Sequence, residues 1–243
     1  MKKFKSIVTG GAGFIGSNLV DRLVEEGHKV IVIDNFVSGK KDNLSHHSKK
    51  NVKIIKSDIS NNRKLYKHFK GVNYVFHLAG LAEIVPSIEN PRKYFMNNTL
   101  GTLNILEAAK QVKIKKFIYA ASSSCYGTPK KIPTRETDKI DTKHPYAFTK
   151  FLGEEAVIKY ANFFRMPNIS CRFFNVYGPR LNRTSQYGAV FSNFLTQKKR
   201  HKPLTIVGNG RQTRDFIHVD DLTNAFVILA KSNLKNKIYN LGS

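Results

Sequence analysis

Residues 3–16 read KFKSIVTGGAGFIG, an apolar strand pattern that runs directly into a glycine-rich loop. A helical pattern then continues to about Glu26. In such a loop the first glycine permits a tight turn, the second lets the backbone approach a pyrophosphate, and the third lets the helix lie close to the strand. The N-terminus of the helix offers free N–H groups and partial positive charge to the phosphates. The stretch therefore predicts a dinucleotide-binding strand–loop–helix unit.

The next apolar run, residues 29–34, ends in Asp34, eighteen residues after Gly16. An acid at this point can accept hydrogen bonds from both ribose hydroxyls and would repel a 2′-phosphate. The pattern therefore favours NAD over NADP. A glycine-rich turn without a cofactor is the alternative, and the order of strand, loop, helix, strand and acid argues against it.

Strand and helix patterns alternate along most of the chain. Apolar strand runs occupy 52–56, 73–78, 116–121 and 169–174, and helical periodicity occupies 61–69, 92–112, 145–165, 187–200 and 219–231. Strands separated by helices imply parallel crossovers. We therefore predict an α/β fold, a doubly wound parallel Rossmann sheet with helices on both faces, over residues 1–178. Residues 179–243, with an apolar run at 204–207 expected to form a strand, would be a partial C-terminal substrate-binding domain interleaved with the last sheet strand.

Tyr146 and Lys150 lie four residues apart, just after Pro145, in a predicted helix. Residues at this spacing share a helix face. A lysine ammonium beside a phenol favours the phenolate, so the tyrosine could remove a proton from a hydroxyl near neutral pH. A serine from the run 122–124 could bind the same substrate oxygen. Taken alone the pair is weak, because a buried tyrosine beside a solvated lysine is common; the glycine loop strengthens it.

Composition is globular rather than disordered and agrees with one compact enzyme, since hydrophobic residues make up 41% and aromatic residues 11% of the 243 residues. No long apolar run and no signal-peptide pattern is present, so a cytoplasmic protein without membrane insertion is expected. Cys125 and Cys171 lack metal-ligand spacing; reduced buried thiols are predicted, and no metal. The formal net charge is +24, but the lysine pairs are scattered over the sequence. Specific nucleic-acid binding is therefore not expected.

Several motifs together resemble one family. They are residues 9–16, Asp34-Asn35, Ser57-Asp58-Ile59, His77-Leu78-Ala79-Gly80, residues 98–102, residues 122–127, Pro145-Tyr146 to Lys150, residues 172–179 and residues 214–221. With these motifs the chain resembles the extended short-chain dehydrogenase/reductases, and among them the NAD-dependent nucleotide-sugar epimerases of the UDP-glucose 4-epimerase type. The resemblance covers essentially the whole chain.

The resemblance implies a role for each matching residue. Cofactor contacts would be Gly10, Gly13, Phe14, Ile15, Gly16, Asp34, Asn35, Asp58, Ile59, Leu78, Ala79, Gly80, Asn98, Tyr146 and Lys150. Catalytic residues would be Tyr146 as base, Lys150 as its electrostatic partner, and Ser122, with Ser123 a close second. Substrate contacts would be Ser124, Asn175, Ala189, Val190 and Arg214. Two alternatives stay open: Asp58 as a helix N-cap, and Arg214 paired with Asp215 or Asp220.

The residues after Ser122 help to separate related activities. Nucleotide-sugar dehydratases and decarboxylases resemble this chain but carry an acid just after the catalytic hydroxyl, where this chain has Ser123 and Ser124. The expected reaction is therefore epimerisation at C4 of a nucleotide sugar, such as a UDP-hexose or UDP-N-acetylhexosamine for surface polysaccharide. A decarboxylase, dehydratase or keto-reductase is the runner-up. A non-catalytic dinucleotide sensor or a basic nucleic-acid binder would have no reason to keep Tyr146, Lys150 and Ser122 together.

The chain departs from the family pattern at two places. Residues 237–243 correspond to an internal strand of the family, so we expect a shortened chain or a natural fragment that binds NAD but holds substrate weakly. Ala82 stands where the best-known 4-epimerases carry a lysine, which leaves N-acetylhexosamine and uronic acid substrates as open as glucose. The resemblance also implies a homodimer formed through the helices near 92–112 and 145–165. Their apolar residues Leu103, Leu106, Leu152 and Val157 could equally pack on the sheet.

Overall fold

A computed structural model describes residues 4–61, 63–129, 131–181, 190–206 and 208–242 of the chain. The strands are β1 (Lys5–Thr9), β2 (Lys29–Asp34), β3 (Val52–Lys56), β4 (Tyr74–His77), β5 (Lys116–Ser122), β6 (Asn168–Phe173), β7 (Asn175–Tyr177), β8 (Phe216–His218) and β9 (Lys237–Leu241). The α-helices are α1 (Phe14–Glu25), α2 (Ile84–Glu89), α3 (Pro91–Tyr94), α4 (Gly101–Lys110), α5 (Pro145–Phe164), α6 (Val190–Lys199) and α7 (Val219–Lys231). Short 3₁₀ helices cover Lys41–Leu44, Arg63–His68 and Ser123–Tyr126, and a π-helical turn covers Phe95–Leu100.

The main sheet has seven strands in the order β3-β2-β1-β4-β5-β6-β9. Every neighbouring pair in it is parallel. The strand order changes direction between β1 and β4. The chain connections on the two sides of this point leave in opposite directions, so a crevice opens at the carboxyl ends of these two strands. This confirms the predicted doubly wound Rossmann sheet.

The two faces of the sheet bury separate apolar clusters, because successive side chains of a strand point to opposite sides. In β1, Val8 packs with Leu19 of α1 and Phe226 of α7 on one face. Ile7 packs with Ile105 of α4 and Val157 of α5 on the other face. Helices therefore cover both faces, as predicted.

Two predicted helices differ in type from the observed ones. The segment predicted as one helix over 92–112 is α3, the π-helical turn and α4 in succession. The segment predicted over 61–69 is the 3₁₀ helix Arg63–His68. A π turn widens the hydrogen-bond spacing by one residue, which apolar periodicity in a sequence does not reveal.

The predicted strand at 204–207 is wrong over its described part, Leu204 to Ile206; Val207 lies outside the described residues. The side chain of Gln197 in α6, rather than a neighbouring strand, forms hydrogen bonds with this run. Its Oε1 accepts from the backbone N–H of Thr205 at 3.1 Å, and its Nε2 donates to the hydroxyl of Thr205 at 2.6 Å. Leu204 and Ile206 stay largely exposed. An apolar run forms a strand when a neighbouring strand pairs with it, and none does so here among the described residues.

A small parallel pair, β7 with β8, was not predicted. It lies between β6 and α7 in the chain, and its first bond runs from the Asn175 N–H to the carbonyl of Asp215 at 3.1 Å. After β8 the chain returns to the main body, where α7 packs on α1 and β9 pairs with β6. The division at residue 178 into two domains therefore stays a prediction.

The two cysteines, Cys125 and Cys171, are free and buried, as expected. Burial raises the pKa of the Cys125 thiol to about 12 and raises that of Cys171 as well. No helix in the described ranges is long and apolar enough to cross a bilayer. The cytoplasmic location stays a prediction.

Candidate active site

The glycine-rich loop lies tightly against the end of β4. Gly10 has a φ of +68°, and a Cβ there would lie 2.8 Å from the backbone nitrogen of Ala79. A Cβ on Gly16 would lie 2.1 Å from the carbonyl oxygen of Gly10, which is closer than any real contact. Both positions therefore require glycine, and the loop backbone forms one wall of the crevice above β1 and β4.

Asp34 ends β2 beside this loop. Its Oδ2 accepts from the N–H of Ala12 at 2.9 Å, and its Oδ1 accepts from the N–H of Phe36 at 2.8 Å. The carboxylate thus holds the shape of the glycine loop. Each oxygen keeps a second lone pair, so the predicted contact to ribose hydroxyls is compatible with this supporting role.

A cleft of about 350 Å³ opens at the carboxyl ends of the central strands. Its walls include all but one of the predicted cofactor residues: Gly10, Gly13, Phe14, Ile15, Gly16, Asp34, Asn35, Asp58, Ile59, Leu78, Ala79, Gly80, Tyr146 and Lys150. These residues come from strand ends and helix starts spread over the first two thirds of the chain. The fold brings them together in one cleft.

Asn98 is the exception, because it does not line the cleft. Its side chain is buried, accepts from the N–H of Leu81 at 2.8 Å, and donates to the carbonyl of Leu81 at 3.0 Å and to the hydroxyl of Thr149 at 3.1 Å. These bonds fix the segment after β4 against α5, and the cofactor contact of Asn98 stays a prediction. The sequence showed no sign of this, since the contacts are all long-range.

Asp58 is not the N-cap of a helix, since the next helical segment begins at Arg63, and its contact to the cofactor stays a prediction. It lines the cleft, and its Oδ1 accepts from the N–H of Ser60 at 2.8 Å and from the Ser60 hydroxyl at 2.6 Å. Asn35 donates to its other oxygen at 3.1 Å. Burial acts to raise the pKa of Asp58, but these hydrogen bonds lower it on balance. The carboxylate is therefore ionised at neutral pH and faces the cleft in a fixed orientation.

Lys93 and Asn97 also line the cleft and were not predicted. They belong to α3 and the π-helical turn. No motif marks them, because their approach to the cleft depends on how this irregular helical segment packs on α5.

Tyr146 lies in the first turn of α5. Pro145 occupies the first helical position, and the side chain of His144 caps the helix by accepting from the N–H of Ala147 at 3.2 Å. Tyr146 shares a hydrogen bond with the hydroxyl of Ser122 at the end of β5. Burial raises the pKa of Tyr146, and the bond to Ser122 opposes that rise. Burial therefore counteracts the lowering expected from the neighbouring lysine.

Lys150 follows one turn later and is buried. Its Nζ lies 4.4 Å from the ring centroid of Tyr119 and would be 3.6 Å from a Cβ placed on Gly80. Burial lowers the pKa of Lys150 to about 7, and the carboxylate of Glu154 acts to raise it. This amine can therefore gain or lose a proton near neutral pH, in the cleft that Tyr146 also lines.

A buried polar network supports this part of the cleft from behind. Glu154, in α5, accepts from Arg172 of β6 at 2.6 Å and from the Ser170 hydroxyl at 2.8 Å. Arg172 donates to the phenol oxygen of Tyr126 at 2.6 Å, and Tyr126 lies 2.7 Å from Oδ1 of Asn240 in β9. The network ties α5 to β6, to the segment after β5 and to the last strand.

Neither the predicted catalytic serines, Ser122 and Ser123, nor the described residues among the predicted substrate contacts line this cleft. Ser122 caps the 3₁₀ helix that contains Ser123 and Ser124, accepting from the N–H of Ser124 at 3.2 Å. Asn175, in β7, donates to the carbonyl of Asp215 at 2.8 Å, and the exposed Arg214 donates to the carbonyl of Thr213 at 2.7 Å.

The remaining predicted contacts are on α6 and just before it. Val190 is 41% exposed at the start of α6. Ala189 lies outside the described residues. Their role in substrate binding stays a prediction.

The model of the NAD-dependent epimerase/dehydratase family matches residues 6–242. The chain belongs to this family. UDP-glucuronic acid decarboxylase 1 of Arabidopsis thaliana is 37% identical over 248 residues, which cover 100% of this chain and 55% of the relative. The chain thus spans about half the length of that relative.

Solved structures extend the comparison. A UDP-N-acetylglucosamine 4-epimerase from Methanobrevibacter ruminantium, in complex with UDP-N-acetylmuramic acid, superposes with a TM-score of 0.95 at 36% identity, covering 100% of this chain and 77% of that one. A UDP-glucuronic acid 4-epimerase from Bacillus cereus, in complex with UDP-glucuronic acid and NAD, gives a TM-score of 0.90 at 34% identity, covering 99% and 78%. Both have the fold of this chain over nearly its full length.

The residues of the cleft fit NAD, the cofactor of this family. Gly13, Phe14, Ile15 and Gly16, at the start of α1, line the cleft, and no side chain caps the first turn of α1. The free N–H groups of such a turn suit a pyrophosphate. Asp34, at the end of β2, favours a ribose with free hydroxyls. The chain is an NAD-dependent enzyme of the epimerase/dehydratase family.

Proposed function

We propose that this enzyme epimerises a nucleotide sugar at C4 by oxidation, turning of the keto sugar and reduction on the opposite face. The observation that carries the proposal is that Tyr146 and Lys150, one helical turn apart on α5, both line the cleft at the carboxyl end of the sheet. Ser122, at the end of β5, interacts with Tyr146. A hydroxyl donor, a phenol and a lysine in this arrangement can move one proton to and from a substrate oxygen.

Each residue has a defined task in this scheme. Ser122 orients the C4 hydroxyl, and Tyr146 takes its proton. Lys150, when protonated, stabilises the phenolate against the effect of burial. Bound NAD supplies the hydride acceptor for the oxidation and the hydride donor for its reversal. Tyr146 then returns the proton to the C4 oxygen of the turned sugar.

The charges in the cleft favour epimerisation over dehydration. Among the described residues that line the cleft, the acids are Asp34, at the end of β2, and Asp58, just after β3. Both lie on the side of the sheet predicted to hold the adenosine. The residues after Ser122 are serines, which cannot protonate a departing hydroxyl at neutral pH. A reversible oxidation needs no such acid.

For the substrate we propose a UDP-hexose, its N-acetyl form or its uronic acid form. The solved relatives named above are 4-epimerases of UDP-N-acetylglucosamine and UDP-glucuronic acid. Ser124, Asn175, Ala189, Val190 and Arg214 would contact this substrate. Surface polysaccharide synthesis would use the product.

The test is to supply NAD and each of UDP-glucose, UDP-N-acetylglucosamine and UDP-glucuronic acid, with deuterium at C4. Chromatography and proton NMR then identify the products. We expect at least one C4 epimer that keeps its deuterium, because the hydride leaves and returns within one active site. Tyr146→Phe is the matched control, and its turnover should fall by about 10² or more. Loss of the label to solvent, or equal turnover by Tyr146→Phe, would refute the proposal.

A decarboxylase is the second candidate, because the UDP-glucuronic acid decarboxylase named above is 37% identical over the whole of this chain. The same experiment with UDP-glucuronic acid separates the two activities. An epimerase gives a UDP-uronic acid of unchanged mass, whereas a decarboxylase gives a UDP-pentose and carbon dioxide.

We also propose a homodimer, on different residues from those first considered. Leu106 and Val157 are buried against the sheet, whereas Leu103 and Leu152 are partly exposed. On the outer side of the same helices, the rings of Phe95 and Phe148 pack edge to face with centroids 5.8 Å apart. Further exposed apolar side chains lie beside them on α2, namely Ile84, Val85 and Ile88. A second copy of the chain would cover this surface.

A further inference from the structure

Three side chains from two parts of the chain converge beside α1: Asp21 of the helix itself, and the adjacent His46 and His47. The Oδ1 atom of Asp21 lies 2.9 Å from Nε2 of His46 and 2.6 Å from Nε2 of His47. All three donor atoms lie within 4.8 Å of one another. Imidazoles of adjacent residues usually diverge, yet these two rings lie 4.1 Å apart and present the same nitrogen to one oxygen.

The other oxygen of Asp21 is held separately. Oδ2 forms an ion pair with Arg180, in the segment after β7. Oδ1 is thus left to the histidines, and the carboxylate cannot rotate freely. In metal sites, ligating carboxylates are commonly oriented in this way by a second partner that does not contact the ion.

The histidines are also positioned by the backbone around them. They follow the 3₁₀ helix Lys41–Leu44, and just ahead of it the N–H of Lys40 donates to the carbonyl of Ala12 at 3.0 Å. Asn43 donates to the same carbonyl at 2.9 Å. The segment that carries His46 and His47 is therefore fixed to the glycine loop, while Asp21 lies two turns into the helix that follows this loop.

We propose that Asp21, His46 and His47 bind a divalent transition-metal ion of the Zn²⁺ type. Two neutral imidazoles and one carboxylate are a common donor set for such ions, with water completing the coordination. The ion would connect α1 to the segment after β2, on the adenosine side of the cleft and away from Tyr146.

The geometry needs a small adjustment to take the ion. Bonds of about 2.0 Å in a tetrahedral site separate the donor atoms by about 3.3 Å, so both nitrogens must move outward by several tenths of an ångström. The side chain of His46 is 50% exposed, so it has room to move, and that of His47 is 9% exposed, which keeps it pointed at Asp21. The competing explanation is that each imidazole simply donates a hydrogen bond to Asp21.

The sequence did not suggest this site and predicted no metal. Twenty-five residues separate Asp21 from His46. The short motifs by which metal sites are recognised place their ligands within a few residues on one helix or loop. Here the fold, rather than the spacing, brings the carboxylate to the histidines.

The experiment titrates Zn²⁺ and Co²⁺ into the untagged chain after dialysis against a chelator, at pH 7.5 in a buffer that does not bind metals. Calorimetry gives the stoichiometry, and the visible spectrum of Co²⁺ reports the coordination number. We expect one ion per chain, with affinity lowered at least tenfold in Asp21→Asn and in His47→Gln. His68→Gln, a partly buried histidine elsewhere, is the matched control and should bind as the unchanged chain does.

If His47→Gln fails to fold, as circular dichroism would show, the half-exposed His46→Gln takes its place. Absence of binding at millimolar Zn²⁺ would overturn the proposal in favour of simple hydrogen bonds. Binding that Asp21→Asn and His46→Gln leave unchanged would also overturn it, because the ion would then bind adventitiously to other surface histidines.

Discussion

Two effects on the charge of Lys150 oppose each other. Burial lowers its pKa to about 7, whereas the proposed reaction needs the protonated, positively charged amine. The carboxylate that opposes this effect belongs to Glu154, one turn further along α5. Glu154 is itself 1% exposed and is held by Arg172 and Ser170. A buried negative charge thus helps Lys150 to keep its proton without contacting the cleft.

Replacing Glu154 with Gln tests this arrangement. Removal of the negative charge should lower the pKa of Lys150 further, so the fall of turnover on the alkaline side should begin about one pH unit lower. The free energy of unfolding should also drop by about 3 kcal/mol, since the buried charge of Arg172 loses its partner. A pH profile of epimerisation and a urea titration measure the two effects.

Ser170→Ala is the control for this variant. It removes a hydrogen bond to Glu154, worth about 1 kcal/mol, and leaves the charge in place. Stability should fall without movement of the pH profile. If Glu154→Gln kept the alkaline limb of the unchanged enzyme, the carboxylate would have a structural role alone.

At this residue scale the sequence predicted that Tyr146 and Lys150 share a helix face, and both line the cleft. Its prediction for Ser122 places the serine at the end of β5, where the structure has it. It did not identify Glu154, Arg172 or Tyr126 as one network. Their positions in the sequence carry no common period, and β9 joins them through Asn240 only after the sheet has formed.

At the scale of elements, β1, the glycine loop and α1 act as a single unit. The loop was predictable because glycine is required where backbone meets backbone. Two of the mispredicted segments are the π-helical turn and the run at 204–206. Their conformation depends on contacts with other segments, such as the hydrogen bond from Gln197 to Thr205. Local patterns therefore predict an element well where burial against the main sheet stabilises that element.

Two alanine substitutions in the loop should separate stability from cofactor binding. A Cβ on Gly16 would lie 2.1 Å from the Gly10 carbonyl, whereas one on Gly13 would lie 3.3 Å from the same oxygen. Gly16→Ala should therefore lower the free energy of unfolding by about 2 kcal/mol through overpacking. Gly13→Ala should remain nearly as stable but weaken NAD binding, because Gly13 lines the cleft at the start of α1.

Thermal unfolding and calorimetric NAD titration of both variants provide the measurement. Equal melting temperatures for Gly16→Ala and the unchanged chain would show that the loop and α1 are less rigidly packed than the distances indicate. Unchanged NAD affinity in Gly13→Ala would mean that the pyrophosphate does not lie along this loop.

At the scale of the whole molecule, the distribution of exposed apolar residues is uneven. The helices of one sheet face, α4 and α5 with the segment before them, present Ile88, Phe95 and Phe148 to solvent. The helix α7 on the other face presents Ile228. A cluster of this kind with an ordered ring pair marks an interaction surface more strongly than an isolated side chain does.

Phe95→Glu should therefore shift the chain from dimer to monomer. A charge placed in an apolar contact between two copies would lose its water without gaining a partner, which raises the dissociation constant by at least 10². Light scattering after size-exclusion chromatography, over a range of protein concentrations, gives the mass. Ile228→Glu is the control, since it puts the same charge on an exposed apolar position of the opposite face, and its mass should equal that of the unchanged chain. A monomer for the unchanged chain at every concentration would refute the dimer, and a dimer that Phe95→Glu leaves intact would place its interface elsewhere.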